Sequence, residues 1–132
     1  MKINQRMDDA AGAFLRYAAY GFDRRVRGPF DMIDSIRGST ADEDEARRML
    51  AVYDTLRLLV CEGRREELRA LQAVYFTRAG RRLRRNDISL RVQRFATDNY
   101  MDPRTVYRRL ARVKSLYFAV LEGNFFGGNK NL

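Results

Sequence analysis

Apolar residues recur along most of the chain at intervals of three and four, the spacing that places side chains on one face of an α-helix. The alternation of apolar and polar residues that would predict β-strands is not sustained anywhere. The pattern therefore predicts an all-α fold, a small helical domain of about five helices. The helices are expected over residues from about 5 to 20, 41 to 62, 64 to 77, 87 to 98 and 103 to 122.

The stretch "RVRGPFDMIDSIRGST" interrupts this pattern with two glycines and a proline. It is predicted to be a connection with one short helical turn from Phe30 to Ile36. We expect three regions in all: an N-terminal helix and connection at 1–38, a helical core at 39–122, and a flexible tail at 123–132. The tail is rich in glycine and asparagine.

Several helix starts carry recognisable capping signals. Thr40 is predicted to cap the second helix, with Glu43 three residues later closing a capping box. The acidic residues around Glu43 then have a structural role at the positive end of the helix dipole. Asp87 and Asp102 are predicted to cap the last two helices, and Pro103 follows at a first helical position, where a missing N–H costs nothing.

Composition indicates one ordinary globular domain. The chain has 132 residues, of which 45% are hydrophobic and 33% charged. No apolar run approaches the roughly 20 residues of a membrane span, and the N-terminus has no apolar segment typical of a signal peptide. The single cysteine, Cys61, lies in the apolar run "LRLLVC" and is expected to be a small buried hydrophobic residue. These features predict a cytoplasmic protein without a membrane partner.

The second helix should bury one apolar face, made of Met49, Leu50, Tyr53, Leu56, Leu59 and Val60.

The charge is unevenly distributed. The formal net charge is +9, yet residues 1–63 have a balance of −1 and residues 64–114 a balance of +10, nearly all from arginine. Clustered cations bind a phosphate backbone favourably because they release its condensed counterions. The asymmetry thus predicts a polyanionic partner. The alternative is a solvated arginine face with no nucleic-acid role.

Residues 87–121 have the parts of a helix-turn-helix, two helices joined by a tight turn with the second longer and more basic. In the second helix the apolar residues fall within roughly 40° of one direction, at about 100° per residue. Arg104, Arg108 and Arg112 follow one another at intervals of four as a continuous cationic row, with Arg104 and Arg108 opposite the stripe and Arg112 on its flank. The apolar stripe consists of Val106, Leu110, Val113, Tyr117 and Val120.

Such a row suits the major groove of duplex DNA, where arginine forks bind guanine edges and small residues allow close approach. The candidate base-facing residues are Arg104, Arg108, Arg112 and Ser115. The candidate phosphate contacts are Thr105, Tyr107, Arg109, and Arg84 and Arg85 of the preceding "RRLRR".

The spacing of Ala96, Met101, Thr105-Val106 and Leu110 resembles the helix-turn-helix of sigma-factor region 4. More specifically, "LAVYDTLRLL", "AVYF" and "ISLRVQRFATDNYMDPRTVYRRLARVKSLYF" look like the RinA/ArpU-type late transcriptional regulators of phages and prophages of Gram-positive bacteria. The resemblance covers roughly residues 50–121 and is weakest over the first forty. It implies promoter binding and activation through contact with RNA polymerase.

The chain departs from the family pattern at the turn, where Tyr100 stands in place of the usual glycine and Asn99 in place of a frequent leucine. Asparagine tolerates left-handed backbone, so Asn99 can supply the turn. Equally, the turn can be longer than standard. The role of residues 1–38 stays open among packing, dimerisation and a polymerase contact.

We do not expect an enzyme, a metal or a cofactor. There is no histidine, no Cys/His cluster and no glycine-rich phosphate loop. Besides a regulator, two alternatives fit: a DNA-packaging protein similar to a small terminase subunit, and a helical protein-interaction module. Packaging would use the helices at 41–77 as an oligomerisation hairpin in a ring, whereas a regulator would be a monomer or homodimer. RNA binding is weaker, because only Tyr107 and Phe118 are aromatic candidates for stacking on the basic side.

Overall fold

The computed structural model describes residues 3–24, 29–77 and 86–123, and it is all-α, with no strand in these ranges. A short 3₁₀ helix, Phe22–Arg24, follows the first α-helix, and a π-helical turn, Gln72–Phe76, continues the fourth. None of the helices in these ranges is long and apolar enough to cross a membrane. The described part of the chain forms six α-helices: α1 (Ile3–Ala19), α2 (Pro29–Ser39), α3 (Glu43–Cys61), α4 (Arg65–Leu71), α5 (Asp87–Asp98) and α6 (Pro103–Leu121).

The last helix, α6, is the centre of the fold and packs against α1, α3, α4 and α5. Its predicted apolar stripe, from Val106 to Val120, is buried throughout, as expected. Burial of apolar surface is the main force that stabilises such a packing. Because this stripe is buried, the opposite side of α6 faces outward.

The N-terminal helix shares the core with the basic half of the chain. The Phe14 ring of α1 lies 5.6 Å from the Tyr75 ring and 5.5 Å from the Tyr117 ring of α6, centroid to centroid. Tyr17 stacks on Phe76, with centroids 5.8 Å apart. Aromatic pairs at these separations add to the stabilisation from area alone. Residues of α1 therefore help to hold α6 in place.

The prediction of about five helices is wrong by one, because the expected connection contains α2. The segment Pro29–Ser39 is one helix and not a single turn. Pro29 begins it, the position where proline suits a helix. Met32 and Ile36, four residues apart, are buried in the common core. Tertiary burial thus outweighs the intrinsic cost of Gly38 near the helix end.

Two of the predicted caps differ in the structure. Asp42, not Thr40, is the N-cap of α3, and its Oδ1 accepts hydrogen bonds from the backbone N–H groups of Asp44 at 2.9 Å and Glu45 at 3.3 Å. The Thr40 hydroxyl oxygen instead accepts a bond from the Asp42 N–H. Asp87 is the first residue of α5, preceded by Asn86 with φ of 73° in the cap position.

The prediction of the apolar face of α3 is also wrong at the C-terminal end of the helix. Leu59 is fully buried, but the next two residues, Val60 and Cys61, are exposed, Val60 to 65%. Consecutive helical residues differ by about 100° in direction, so the three cannot all face the core. Cys61 is therefore a surface thiol and not a buried hydrophobic residue.

The turn between α5 and α6 spans residues 99–102, and its left-handed residue is Tyr100, with φ of 55°. The Met101 N–H donates to the Ala96 carbonyl at 2.9 Å, and the Tyr100 N–H to the Thr97 carbonyl at 3.3 Å. These two bonds form a Schellman motif, which normally places glycine at the left-handed position. Asn99 does not supply the left-handed backbone, since its φ is −110°.

Candidate functional site

The three arginines predicted to form a row on α6 do lie on its outward side. Arg104, Arg108 and Arg112 are all exposed, as is Ser115. Arg104, Arg108 and Ser115 stand about half a helical turn from the buried stripe, and Arg112 stands about a third of a turn from it. The first turn of α6 is fixed by Asp102, whose Oδ1 accepts from the Arg104 N–H at 2.8 Å, with Pro103 at the first helical position, as predicted.

Arg104 has a carboxylate partner in the same cap. Its Nη2 lies 2.9 Å from Asp102 Oδ2, and its Nε lies 3.3 Å from both carboxylate oxygens. The bonds from Arg104 lower the pKa of Asp102 to about 2. The same pairing raises the pKa of Arg104. Asp102 thus remains ionised at neutral pH and orients the first arginine of the row.

Arg109 turns inward, unlike its neighbours. Its side chain is only 19% exposed, and its Nη2 lies 2.9 Å from Glu66 Oε2 of α4. A second guanidinium nitrogen, Nη1, lies 3.6 Å from the sulfur of Met101. The residue stands roughly 60° from the direction of the buried stripe, at the border of the packed face. The structure therefore places Arg109 in a bridge between α6 and α4.

The remaining candidates on α6 lie on its two flanks. Tyr107 is 46% exposed. Thr105 is half-buried and lies on the flank that faces α4. Arg84 and Arg85, the other predicted phosphate contacts, lie outside the described residues. Phe118, named above as a stacking candidate, is buried, and the Arg6 guanidinium lies 4.5 Å from its ring centroid.

Residues of α4 and α6 line a cleft of about 670 Å³ on the surface where the two helices meet. Six arginines and two glutamates line it, together with Gly63 and Thr105, which gives a formal excess of four positive charges. We call it the α4–α6 cleft. Its charged residues are Arg64, Arg65, Glu66, Glu67 and Arg69 from the α4 side, and Arg108, Arg109 and Arg112 from the α6 side.

The two helices that form the cleft run in opposite directions. Arg69, near the end of α4, donates to Asn99 Oδ1 at 3.2 Å, just before α6 begins. Glu66, one turn earlier in α4, pairs with Arg109 further along α6. The cleft therefore follows the first half of α6, where the exposed arginines are.

Two of the six arginines in the cleft are neutralised by the glutamates. Arg109 pairs with Glu66, and Arg64 pairs with Glu67 and, at 3.3 Å, with Glu62. The hydrogen bond that Arg64 donates to the Glu67 carboxylate is the main reason that the pKa of Arg64 is raised. Arg65, Arg69, Arg108 and Arg112 form no ion pair with any carboxylate in the described ranges.

The arginines of α4 were not among the predicted site residues. Arg65 and Arg69 are four residues apart and exposed, while Ala70 and Leu71 are buried. The signal was present in the sequence, since residues four apart share a helix face. That this face meets the arginine row of α6 depends on the tertiary packing.

A second, smaller cavity of about 270 Å³ lies elsewhere, lined by Asp23, Leu56, Gln72, Phe76 and Thr77. Burial raises the pKa of Asp23 and also that of Asp54.

Within the described ranges no group of three or more Asp, Glu or Cys side chains is placed to hold a metal ion. Of these two cavities, the α4–α6 cleft is the one that concentrates cations.

No family model, no curated protein and no solved structure matches this chain.

Proposed function

We propose that this protein is a sequence-specific regulator of transcription that binds double-stranded DNA through α6, of the kind encoded by phages and prophages. The observation that carries the proposal is the exposed row of Arg104, Arg108 and Arg112 on a helix whose other side is buried. A helix anchored in this way presents a rigid cationic face. Such a face fits the major groove, where arginine binds guanine O6 and N7 bidentately.

The arrangement around the row supports the proposal. Helix α5, a four-residue turn and α6 follow one another and pack together, as the two helices of a DNA-binding helix-turn-helix do. The small Ser115 and Ala111 are exposed on the same side as the arginines and leave room for a close approach. In this proposal α6 is the recognition helix.

The assignments to the individual residues follow from their positions. Arg104, Arg108, Arg112 and Ser115 face the bases. Thr105 and Tyr107, one on each flank, contact phosphates on either side of the groove. Arg109 has no DNA contact in this proposal, because its guanidinium is paired with Glu66. RNA polymerase and a second copy of the chain are the further partners that such a regulator would use.

The alternative of a packaging protein has less support. It requires the helices between residues 41 and 77 to form an oligomerisation hairpin, with apolar surface available to other copies. In the structure Met49, Val52 and Leu59 of α3 and Leu71 of α4 are buried in the core that they share with α6. These apolar residues are thus occupied within one chain.

Fluorescence anisotropy of the purified protein with a random DNA duplex of about 30 base pairs, titrated with salt, tests the proposal. We expect submicromolar binding at low salt, with an affinity that falls steeply as salt rises. Selection from a randomised pool should then enrich a defined site. Absence of binding even at low salt would leave the arginines as a solvated face and would favour a protein-interaction module.

A further inference from the structure

Two short rows of arginine line the α4–α6 cleft, one on each helix. Arg65 and Arg69 are four residues apart on α4, and Arg108 and Arg112 are four residues apart on α6. Residues with this separation lie about 6 Å apart along a helix axis. Each row therefore presents two guanidinium groups along the direction of the cleft.

Among the described residues, these four arginines are the cations of the cleft that form no ion pair with a carboxylate. The two glutamates of the cleft are paired with Arg109 and Arg64. Arg69 has a neutral partner, the Asn99 side chain. Like charges brought together on both walls of one cleft repel each other, and the repulsion is relieved when an anion lies between them. The cleft is thus suited to a ligand with several negative charges.

The shape and position of the cleft favour an extended ligand. Arg108 and Arg112 belong both to the outward row of α6 and to the cleft wall. A polyanion that lies along α6 therefore continues into the cleft and meets Arg65 and Arg69 on the other side. Thr105, also on the wall, adds a hydroxyl group that can donate to a phosphate oxygen.

We infer that the α4–α6 cleft holds the sugar-phosphate backbone of one DNA strand, and that Arg65 and Arg69 are phosphate contacts. This inference rests on the proposed DNA-binding function and extends it to α4, which lies outside the predicted helix-turn-helix. The recognition helix and α4 then contact the backbone of one DNA strand from two sides. Because phosphates carry no base information, the α4 contacts add affinity and fix orientation without adding sequence preference.

The test compares the double variant Arg65→Gln/Arg69→Gln with the control Arg37→Gln/Arg47→Gln. Both doubles remove two exposed arginines, but those of the control lie on α2 and at the start of α3. The readout is the slope of log affinity against log salt concentration for a random duplex. Each lost phosphate contact makes the slope shallower by about one, so the cleft double should lose about two and the control none.

The outcomes separate this inference from the function on which it rests. An unchanged slope in the cleft double, with binding still weakened by Arg108→Ala, would overturn the cleft assignment and leave DNA binding by α6 intact. An equal loss in both doubles would also overturn it, because net charge alone would then explain the effect. Failure of the unmodified protein to bind any duplex at low salt would remove both proposals. Circular dichroism and thermal melting verify that each double variant is folded.

Discussion

The Arg109 guanidinium and the Glu66 carboxylate lie 2.9 Å apart and join α6 to α4 across the arginine-lined cleft. The partners differ in their surroundings, since Arg109 is 19% and Glu66 72% exposed. The pair removes one positive charge from the cleft and fixes Arg109 against the core. It thus limits how strongly the cleft attracts anions.

Replacing Glu66 with alanine should strengthen DNA binding. The substitution frees Arg109 and raises the charge of the cleft by one. We expect roughly twofold to tenfold tighter binding to a random duplex at low salt, with the gain lost at high salt. The free energy of unfolding should fall by no more than about 1 kcal/mol, as for other partly exposed ion pairs.

Asp34→Ala is the matched control for this charge change, since Asp34 is exposed on α2, away from the cleft. It makes the same change in net charge and should leave affinity nearly constant. If Glu66→Ala bound DNA no better than this control, the cleft would not be a place where anions bind. Anisotropy titrations at two salt concentrations give the comparison.

Arg108 occupies the middle of the row and should make the largest single contribution to base selection. We expect Arg108→Ala to weaken binding to a selected site by about 1–3 kcal/mol and to flatten the preference at one base pair. Arg47→Ala on α3 is the control, because Arg47 is exposed and belongs neither to the arginine row of α6 nor to the cleft. Equal affinities for Arg108→Ala and Arg47→Ala at the selected site would show that α6 is not the recognition helix.

Tyr100 should cost stability at the turn. Its φ of 55° is a left-handed backbone conformation, which is unfavourable for residues that have a Cβ. Its side chain is 97% exposed. We therefore expect Tyr100→Gly to stabilise the fold by about 0.5–1 kcal/mol, after allowance for the greater freedom of glycine in the unfolded chain. Chemical denaturation measures this directly.

Tyr100→Ala removes the same ring but keeps the Cβ, so its stability should stay close to that of the unmodified protein. A gain in Tyr100→Ala as large as that in Tyr100→Gly would contradict the backbone explanation and would place the cost in the aromatic ring. The pair of variants also reveals whether the exposed ring contributes to DNA binding, since both lack it.

Asp102 should make stability dependent on acid pH. Its folded pKa of about 2 lies below the ordinary value of 3.8, so the ionised form is favoured in the native state. Its contribution is complete above about pH 4 and is lost as the pH falls toward about 2. Asp102→Asn keeps a capping oxygen but has no charge to titrate.

The melting temperature of the unmodified protein should therefore exceed that of Asp102→Asn at neutral pH, and the difference should shrink between about pH 4 and pH 2. Thermal melts at low salt across this range provide the measurement. A difference that stayed constant with pH would assign the effect to cap geometry alone and not to the charge.

Local signals in the sequence predicted the parts of the structure that depend on neighbouring residues. The Asp102 cap with Pro103 and the buried stripe of α6 were confirmed, because a cap and a helical period involve only a few consecutive turns. Where two candidates compete, the pattern alone cannot decide: Asp42 rather than Thr40 caps α3. The position of Cys61 shows the same limit, since an apolar run does not reveal which residues face the core.

Features that arise from packing were missed or misplaced. Helix α2 was expected to be a single turn because its glycine and proline residues suggested a connection, but burial of Met32 and Ile36 stabilises it. The arginine row of α6 was predicted correctly as an exposed face. Its extension by Arg65 and Arg69 was not, because no local pattern shows that α4 lies beside α6.

The π-helical turn Gln72–Phe76 determines how the chain should unfold. Val74, Tyr75 and Phe76 are consecutive and all buried, and the rings of Tyr75 and Phe76 contact Phe14 and Tyr17 of α1. On the other side, the Val74 carbonyl accepts a bond from Arg91 of α5 at 2.9 Å. The nearly neutral half of the chain (residues 1–63) and the basic half (residues 64–114) therefore share one cluster of aromatic rings. We expect them to lose structure in a single cooperative transition, so that the basic half would not persist as a folded fragment without α1.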